Sequence, residues 1–428
     1  MDMHTAEASL DRTAWAPGQV GNWAGNVSFC ATSVHRPTSM EELGAVVAGH
    51  DRVKVVGRGY SFSTVADTAG ALVRLDGMPK VVEVDAGRRQ VRVAAGTTFT
   101  ELGPYLHRQG FALPNLGSLP HVSVAGACAT GTHGSGRGNP SIAAGVREVE
   151  LVISDGKPIR LDRSSPGFGG SVTSLGALGI ATHLTLDLVP AYDVEQYVWE
   201  GLGWPELVRD FDAITDCAYS VSVFTDWGGR HTVWVKRRVQ DPLPDLSSTG
   251  AYPADGPRHP VAGMTVESCN AQQGAAGPWW ERLPHLRADR LPGAGGELHS
   301  EYFVPLDRAR EALEAVRGLR DVIGPVLRGS ELRTQASEET WLSPGHGRDS
   351  LAIHFTWRAD ADGVGRVIPA LELALAPFAP RPHWGGLFAM KPEQLAASYP
   401  RWEDFQALRA ALDPAGVFRN AFTTRHFG

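Results

Sequence analysis

Short apolar or alternating runs cut by Gly, Pro and Asp dominate the chain, and they predict strands joined by tight turns. VSFCATSV, residues 27–34, reads as a strand ended by Arg36-Pro37-Thr38. A helix follows to about Ala48, with Thr38 or Ser39 as candidate N-cap. Residues 51–56 form the next strand, and KVVEVDAGRRQVRVAAG reads as a hairpin around Asp85-Ala86-Gly87. Residues 100–109 are amphipathic, with Leu102, Tyr105 and Leu106 on one face and Gly110 as the stop. A second hairpin surrounds SDGK, and a β-branched strand runs to Pro190. Beyond it, YDVEQYVW and SVSVFTDWGGRHTVWVKRRV alternate as strands, with a helix over PELVRDFDAITDCA between them. Residues 240–296 have little periodicity and read as a surface wrap or a roof over a site. HSEYFVPLDRAREALEAVRGLRDV turns from strand to helix, PVLRGSELRTQ and DSLAIHFTWRA are strands, and a helix spans residues 365–376. This order predicts an α+β fold whose second half is a sheet covered by helices.

Two segments break the pattern. GRGYSFS, residues 57–63, follows an apolar strand with two glycines and two hydroxyls, the composition of a turn whose successive N–H groups can nest an anion. An ordinary surface turn has the same look. Its weight rises with GSLPHVSVAGACATGTHGSGRG, residues 117–138, where residues 124–130 form a candidate helix of small residues. Two permissive segments this long are costly in conformational entropy, and a large ligand laid against backbone explains both. His133, near the end of the second, is read as packing or hydrogen bonding structurally in preference to transferring protons, and alone it proves neither.

A chain of 428 residues exceeds the reach of one core, so the division expected is residues 1–21 as a poorly ordered start, 22–191 and 192–376 as two domains, and 377–428 as a return element. With 40 Lys and Arg against 47 Asp and Glu, and no basic block, nucleic acid is not an expected partner. No run reaches the ~20 apolar residues of a membrane span, and the first residues lack signal-peptide character, so no membrane association and a cytoplasmic location are expected. Cys30, Cys128, Cys217 and Cys269 are scattered and form no CxxC pair, which predicts buried thiols and no metal site. Neither GxxxxGK[ST] nor a GxGxxG opening a helix is present, which removes the kinase-type and NAD-type readings of the first loop.

VVGRGYSFS, LPNLGSLPHVSVAGACATGTHGSG, SLGALGIATHLTLDL and, near the end, RPHWG with DPAGVFRNAF together resemble the alditol oxidases (xylitol oxidases), relatives of the aldonolactone oxidases within the vanillyl-alcohol-oxidase type of FAD flavoproteins. The resemblance covers residues 20–425 in unbroken order. It implies a two-subdomain FAD-binding domain of the PCMH type and a substrate domain with an antiparallel sheet facing the flavin. By motif, Val56, Gly57, Arg58, Gly59, Tyr60, Ser61, Phe62 and Ser63 would wrap the FAD diphosphate. Ser118, Ser123, Gly126, Ala127, Thr130, Gly131 and His133 would continue the cradle, with Ile180 near the adenine and His383 near the flavin ring. ELRT matches a substrate-facing strand and implies Glu331 and Arg333 in the pocket, joined by Ser118, His354 and Thr356.

These residue types suit alcohol oxidation, which needs a proton acceptor and a polar grip on oxygen. Arg333 can hold an alkoxide-like oxygen in a forked grip, His354 is of the class that accepts the proton, and Glu331 can orient Arg333 or bind a second hydroxyl. Spacing of i and i+2 puts Glu331 with Arg333, and His354 with Thr356, on one strand face. Taken without the family, a surface ion pair and a core histidine explain the same residues.

The chain departs from the family twice. Tyr60 stands where the family links a histidine covalently to the flavin, so non-covalent FAD is expected, with a tyrosyl link as the minor alternative. Gly386 stands where the family has a lysine reaching the substrate. Losing that ammonium removes a donor worth about 1.5–3 kcal/mol and opens space. A bulkier polyhydroxylated substrate follows, such as a glycoside, a cyclitol or an intermediate of secondary metabolism. Gly117 matches a place where a small residue in lactone-oxidising relatives accompanies oxygen access, so O2 is the expected acceptor. The alternatives are a lactone or hemiacetal oxidase, a dehydrogenase with another acceptor, and a flavin-binding protein without turnover. A monomer or a small homo-oligomer is expected.

Overall fold

The computed structural model describes residues 20–229, 231–290 and 296–428. The poorly ordered start expected at residues 1–21 falls, up to residue 19, outside them. The architecture is α+β, with a three-stranded sheet, a five-stranded sheet and a two-stranded pair, Phe111–Ala112 with Val189–Pro190, in the first half of the chain and one large antiparallel sheet in the second.

The first small sheet is parallel, in the order Ser33–His35, Ala71–Arg74, Val53–Val56. The second is antiparallel, in the order Val82–Asp85, Gln90–Ala94, Ile180–Asp187, Val146–Val152, Pro158–Asp162. Helix Met40–Ala48 starts at Ser39, whose hydroxyl accepts from the amide of Glu42, and helix Phe99–Arg108 starts with a capping box between Thr98 and Glu101. The strand expected over residues 27–34 is shorter than its β-branched content implied. Among the described residues Ser28 pairs only with Gly21, and the amide of Cys30 goes to the Asp67 carboxylate, so a regular strand begins at Ser33. Cys30 is exposed and Cys217 half-buried, which corrects the expectation of four buried thiols; Cys128 and Cys269 are buried.

Between Asp187 and Asp193 the chain leaves these sheets for the large one. There the central order is His231–Arg238, Ser220–Thr225, Leu327–Gln335, Ser350–Arg358, Glu297–Pro305 and Arg381–Pro382, every neighbour antiparallel. Period-2 alternation splits the faces. Leu351, Ile353, Phe355 and Trp357 are fully buried on one side, toward the core that holds Leu313 and Val316 of helix Ala309–Arg317 and Leu371 and Leu375 of helix Ala361–Leu375. That second helix begins four residues before the expected 365, because Asp360 caps it by accepting from the amide of Gly363. The helix expected over PELVRDFDAITDCA is two short ones, Trp204–Arg209 and Phe211–Thr215, parted at Asp210, whose ψ of 17° leaves the helical range.

The last 50 residues fold back onto the first half. The amide of Phe62 donates to Gly385 O at 2.6 Å, the hydroxyl of Ser63 to Trp384 O at 2.8 Å, and the Asn420 amide to the carbonyls of Val65 and Asp67 at 3.0 and 2.7 Å. The glycine loop is thereby pinned against the open face of the large sheet.

Candidate active site

The site is a cleft with two lobes. Loop 57–63 forms their shared wall, and three of its carbonyls are taken: Trp23 N–H donates to Gly59 O at 2.8 Å, Asn22 to Ser61 O and Asn26 to Phe62 O, both at 2.9 Å. Among the described residues the amides of Arg58, Gly59, Tyr60 and Ser61 donate to no protein group. Gly59 has φ of +73°, the conformation that lets neighbouring amides converge. Arg58 lines both lobes, and its buried Nε has no partner. Gly57 and Gly126 press on Ser123, and a Cβ on either would stand 2.5 or 2.8 Å from its Oγ. Free amides, an orphaned guanidinium nitrogen and backbone close enough for a flat ligand fit an anionic dinucleotide such as FAD.

The narrower lobe runs beneath the small sheets past Arg74, Gly96, Ser174, Gly179 and Ala181. The other opens onto the large sheet, where Gly117, Ser118, Thr130, His133, His383 and Gly386 join its lining. Three sequence-implied residues lie outside both lobes. The side chain of Ile180 belongs to a separate core with Val53, Val73, Val152 and Phe418, while its neighbours Gly179 and Ala181 reach the cleft. Gly131 ends helix Val124–Thr130 at φ +76°, a capping role behind the wall. Thr356 shares the face of His354, but His299, directly opposite it, takes the wall at that row.

On the sheet, Glu331, His354 and Glu301 stand opposite one another on three adjacent strands. Their side chains therefore share one face of the pleat. Arg333 lies between the two carboxylates. Its Nη2 donates to Glu301 Oε1 at 2.6 Å, its Nε is 3.7 Å from Glu331 Oε1, and its Nη1 donates to Ser118 Oγ at 3.3 Å. All three charged side chains are over 90 % buried. Burial pushes the Glu301 carboxyl upward, but Arg333 and then His133 outweigh it, and its pKa lies well below the usual range. Glu331 is lowered likewise, by Arg333 and His285 against burial. Both are carboxylates at neutral pH, and Arg333, raised by them against burial, stays charged.

Histidines surround this cluster. His133 Nδ1 bonds Gly134 O at 2.8 Å and its Nε2 is 3.3 Å from Glu301, so it sits against the ionic cluster. Burial pulls His354 down to about 3, His299 adding to the effect, and burial pulls His383 to about 4. Behind Glu331, His285 Nε2 is 2.8 Å from its Oε1, and the buried Lys236 ammonium is 3.1 Å from His285 Nδ1. Burial, with Lys236, lowers His285 to about 4, and burial lowers Lys236 to about 7.

Sequence reasoning missed Glu301, His299, Glu297, His285 and Lys236. Positions 297, 299 and 301 alternate as a polar face on one strand, and that was the available signal. His285 lies in the aperiodic region, and its partner is set by the tertiary fold alone. Among the described residues no cluster suited to a metal ion exists, and no helix is long and apolar enough to cross a membrane.

Residues 31–162 match the family model of an FAD binding domain, and residues 297–426 match that of D-arabinono-1,4-lactone oxidase. An alditol oxidase from a Streptomyces species is 50 % identical over 408 residues, covering 94 % of this chain and 97 % of the relative. An L-gulono-1,4-lactone dehydrogenase from Mycobacterium tuberculosis is 28 % identical, covering 95 % and 98 %. Among solved structures, a solvent-stable cholesterol oxidase superposes with a TM-score of 0.77 at 15 % identity, covering 96 % of this chain and 97 % of that one, a likeness of fold. The glycine cradle lies within the first family match and the three strands carrying Glu301, Arg333 and His354 within the second. The chain belongs to the alditol oxidase family, FAD-dependent oxidoreductases that act on a CH–OH group.

Proposed function

We propose that the protein oxidises a secondary or primary alcohol of a polyhydroxylated molecule larger than a simple alditol, with FAD held non-covalently and O2 as electron acceptor. The observation that carries this is the Arg333 guanidinium, buried between Glu301 and Glu331 beside Ser118 and facing the lobe that continues from the cradle. A cation fixed in a dry site stabilises an oxygen that becomes alkoxide-like as its proton leaves. The two carboxylates hold the fork in place and offer acceptors to neighbouring hydroxyls, which a polyol has and a simple alcohol lacks. FAD, when bound, supplies the hydride acceptor. The amides of residues 58–61 and the Arg58 guanidinium would hold its diphosphate, and Tyr60, whose phenol is raised by burial, stays protonated and forms no link. A Cβ on Gly386 would meet only ordinary contacts, at 3.4–3.5 Å from His383 O, His299 O and Ser300 Cα, so the wall there has room for substrate. Gly117 lines the same lobe, and its Cβ would stand 3.0 Å from the Thr132 methyl, so a larger residue there would push on the wall.

A panel of polyols, glycosides and cyclitols mixed anaerobically with the holoenzyme tests this. Bleaching of the flavin by a glycoside or cyclitol, with xylitol and sorbitol poor, is the expected result; near-normal kcat/KM on xylitol defeats the size argument. Reoxidation of the bleached enzyme by air at turnover rate identifies an oxidase, and a slower rate a dehydrogenase. A lactone or hemiacetal is the second reading, favoured by the name of the family model over 297–426, and the same panel with lactones decides between them.

A further inference from the structure

We propose that Glu297, His299 and His354 form a relay that carries the substrate hydroxyl proton out of the cavity. It rests on the alcohol-oxidising reading above. All three line the cavity on adjacent strands. His299 Nε2 is 3.0 Å from Glu297 Oε1, and His354 Nε2 is 3.3 Å from His299 Nδ1. The rings meet edge to face, 4.8 Å between centroids and 88° apart. Phe62, from the glycine loop, stacks on His299 at 4.3 Å and 26°, fixing the middle ring from the opposite wall.

The tautomers follow from the carboxylate. Burial raises Glu297, but the hydrogen bond from His299 and the neighbouring charges, Arg328 among them, together outweigh it, so it is ionised and can only accept. His299 then donates from Nε2 and has a bare Nδ1. That nitrogen accepts from His354 Nε2–H, which leaves Nδ1 of His354 as the nitrogen free to take a proton. When the substrate O–H bond breaks, its proton joins His354 Nδ1. The Nε2 proton of His354 passes to His299 Nδ1, and the Nε2 proton of His299 passes to Glu297. The carbinol C–H electrons leave with the hydride that the family's flavin chemistry removes, so one proton and one hydride account for the oxidation.

The surroundings favour this direction. Around His354 stand Glu301, Glu331, Arg333 and His299, and burial makes a lasting positive charge there unfavourable. His299 faces His383 as well as His354, and Glu297 faces Arg328 and His259. A proton that stayed on His354 would oppose the Arg333 cation that grips the oxygen. The His299 and Glu297 side chains are 25 % and 26 % exposed, so the chain opens to water over its last two members, while His354 is enclosed. Glu297, at the far end of the chain from His354, is a positioning and exit residue.

Nitrogen NMR of the 15N-histidine-labelled protein at neutral pH tests the tautomers without turnover, with His299→Asn and His354→Asn spectra assigning the signals. His354 is expected to show a pyridine-type Nδ1 and a pyrrole-type Nε2, and Glu297→Gln to mix the tautomers of His299. A pyridine-type Nε2 on His354, or spectra unchanged by Glu297→Gln, overturns the relay. Flavin reduction in the holoenzyme is the second measurement: Glu297→Gln slows it by roughly 10- to 100-fold, below the ~10²–10⁴ of the acid-base group itself, and shifts its pH profile. Glu297→Asp restores most of the rate. A rate and profile equal to wild type in Glu297→Gln also overturns the relay. If no polyol bleaches the wild type, the functional reading fails, and the tautomers still decide the relay.

Discussion

The two walls of the cleft recognise by opposite means. The cradle, residues 57–63 and 117–133, offers backbone: free amides, close-packed glycines and one orphaned guanidinium nitrogen. The sheet face offers side chains: two carboxylates, an arginine and histidines, buried and paired across strands. A backbone surface tolerates little added volume. A buried ionic surface tolerates neither the loss of a charge nor a change of protonation. Substitutions on the two walls should therefore fail in different assays.

The largest effect belongs to Arg333→Ala. Losing the cation that faces the developing charge should cost ~10²–10³ in kcat/KM, with bound flavin retained. Stability should fall as well, by about 3–5 kcal/mol, because Glu301 and Glu331 are left buried without a counter-charge. Glu301→Gln placed on top should recover part of the Tm loss and none of the rate. Parallel recovery of rate would mean that Arg333 acts only as scaffold.

On the other wall, Gly57→Ala should leave the ionic cluster untouched and loosen the flavin. Its Cβ would lie 2.5 Å from Ser123 Oγ, an overlap costing ~1–3 kcal/mol, or roughly 5- to 150-fold in affinity when apoprotein is titrated with FAD. Gly138→Ala is the control: it sits in the same glycine-rich stretch with nothing within 4 Å of the added atom, and should bind FAD as wild type does. Equal weakening by both would show that chain flexibility, and not close approach, is what the glycines provide.

These contrasts explain what the sequence disclosed. Glycines at 57 and 59 and the small-residue helix Val124–Thr130 could be read because each depends on a few adjacent positions, whereas Glu331 and Arg333 were placed in the pocket by the family resemblance, their i and i+2 spacing giving only the shared face. Glu301 could not be read, since its meaning comes from standing opposite His354 on a strand about 50 residues away, a register no local pattern specifies. Lys236 and His285 were hidden for the same reason. Thr356 shows the converse error: a shared strand face placed it beside His354, and the residue opposite decided which of them reached the cavity. The start of helix Ala361–Leu375 was misplaced because Asp360 was not recognised as its cap.

Acid should separate the walls next. His354, His285 and His383 have folded pKa values of about 3, 4 and 4, lowered first by burial from 6.5. Between pH 6.5 and 4 the unfolded chain binds more protons than the native one, so stability is complete above 6.5 and is lost as pH falls toward 4. Each histidine contributes at most about 1.4 kcal/mol per pH unit in that window. Thermal melts from pH 7 to 4 should show the decline, and His285→Asn should reduce its slope. A flat Tm across the window would mean that these histidines titrate normally. A smaller effect is expected at Gly386, where Lys should fit at Cβ and narrow the lobe, shifting the kcat/KM ratio of xylitol to a large glycoside by roughly 10-fold toward xylitol.

The smallest expected effect, and the sharpest contrast with Arg333, belongs to Tyr60→Phe. Tyr60 lies in the middle of the nest, where its backbone amide is free and its ring stands 5.7 Å from that of Trp23 at 40°. Phenylalanine keeps both the amide and the ring. If the loop holds FAD without a bond to Tyr60, the variant should bind flavin with wild-type affinity, and acid precipitation should leave the pellets of both proteins colourless. A yellow wild-type pellet that turns colourless in Tyr60→Phe would establish a tyrosyl tether. The cradle wall would then recognise its cofactor through a side chain after all, and the opposition between the two walls would hold for the diphosphate but not for the flavin ring.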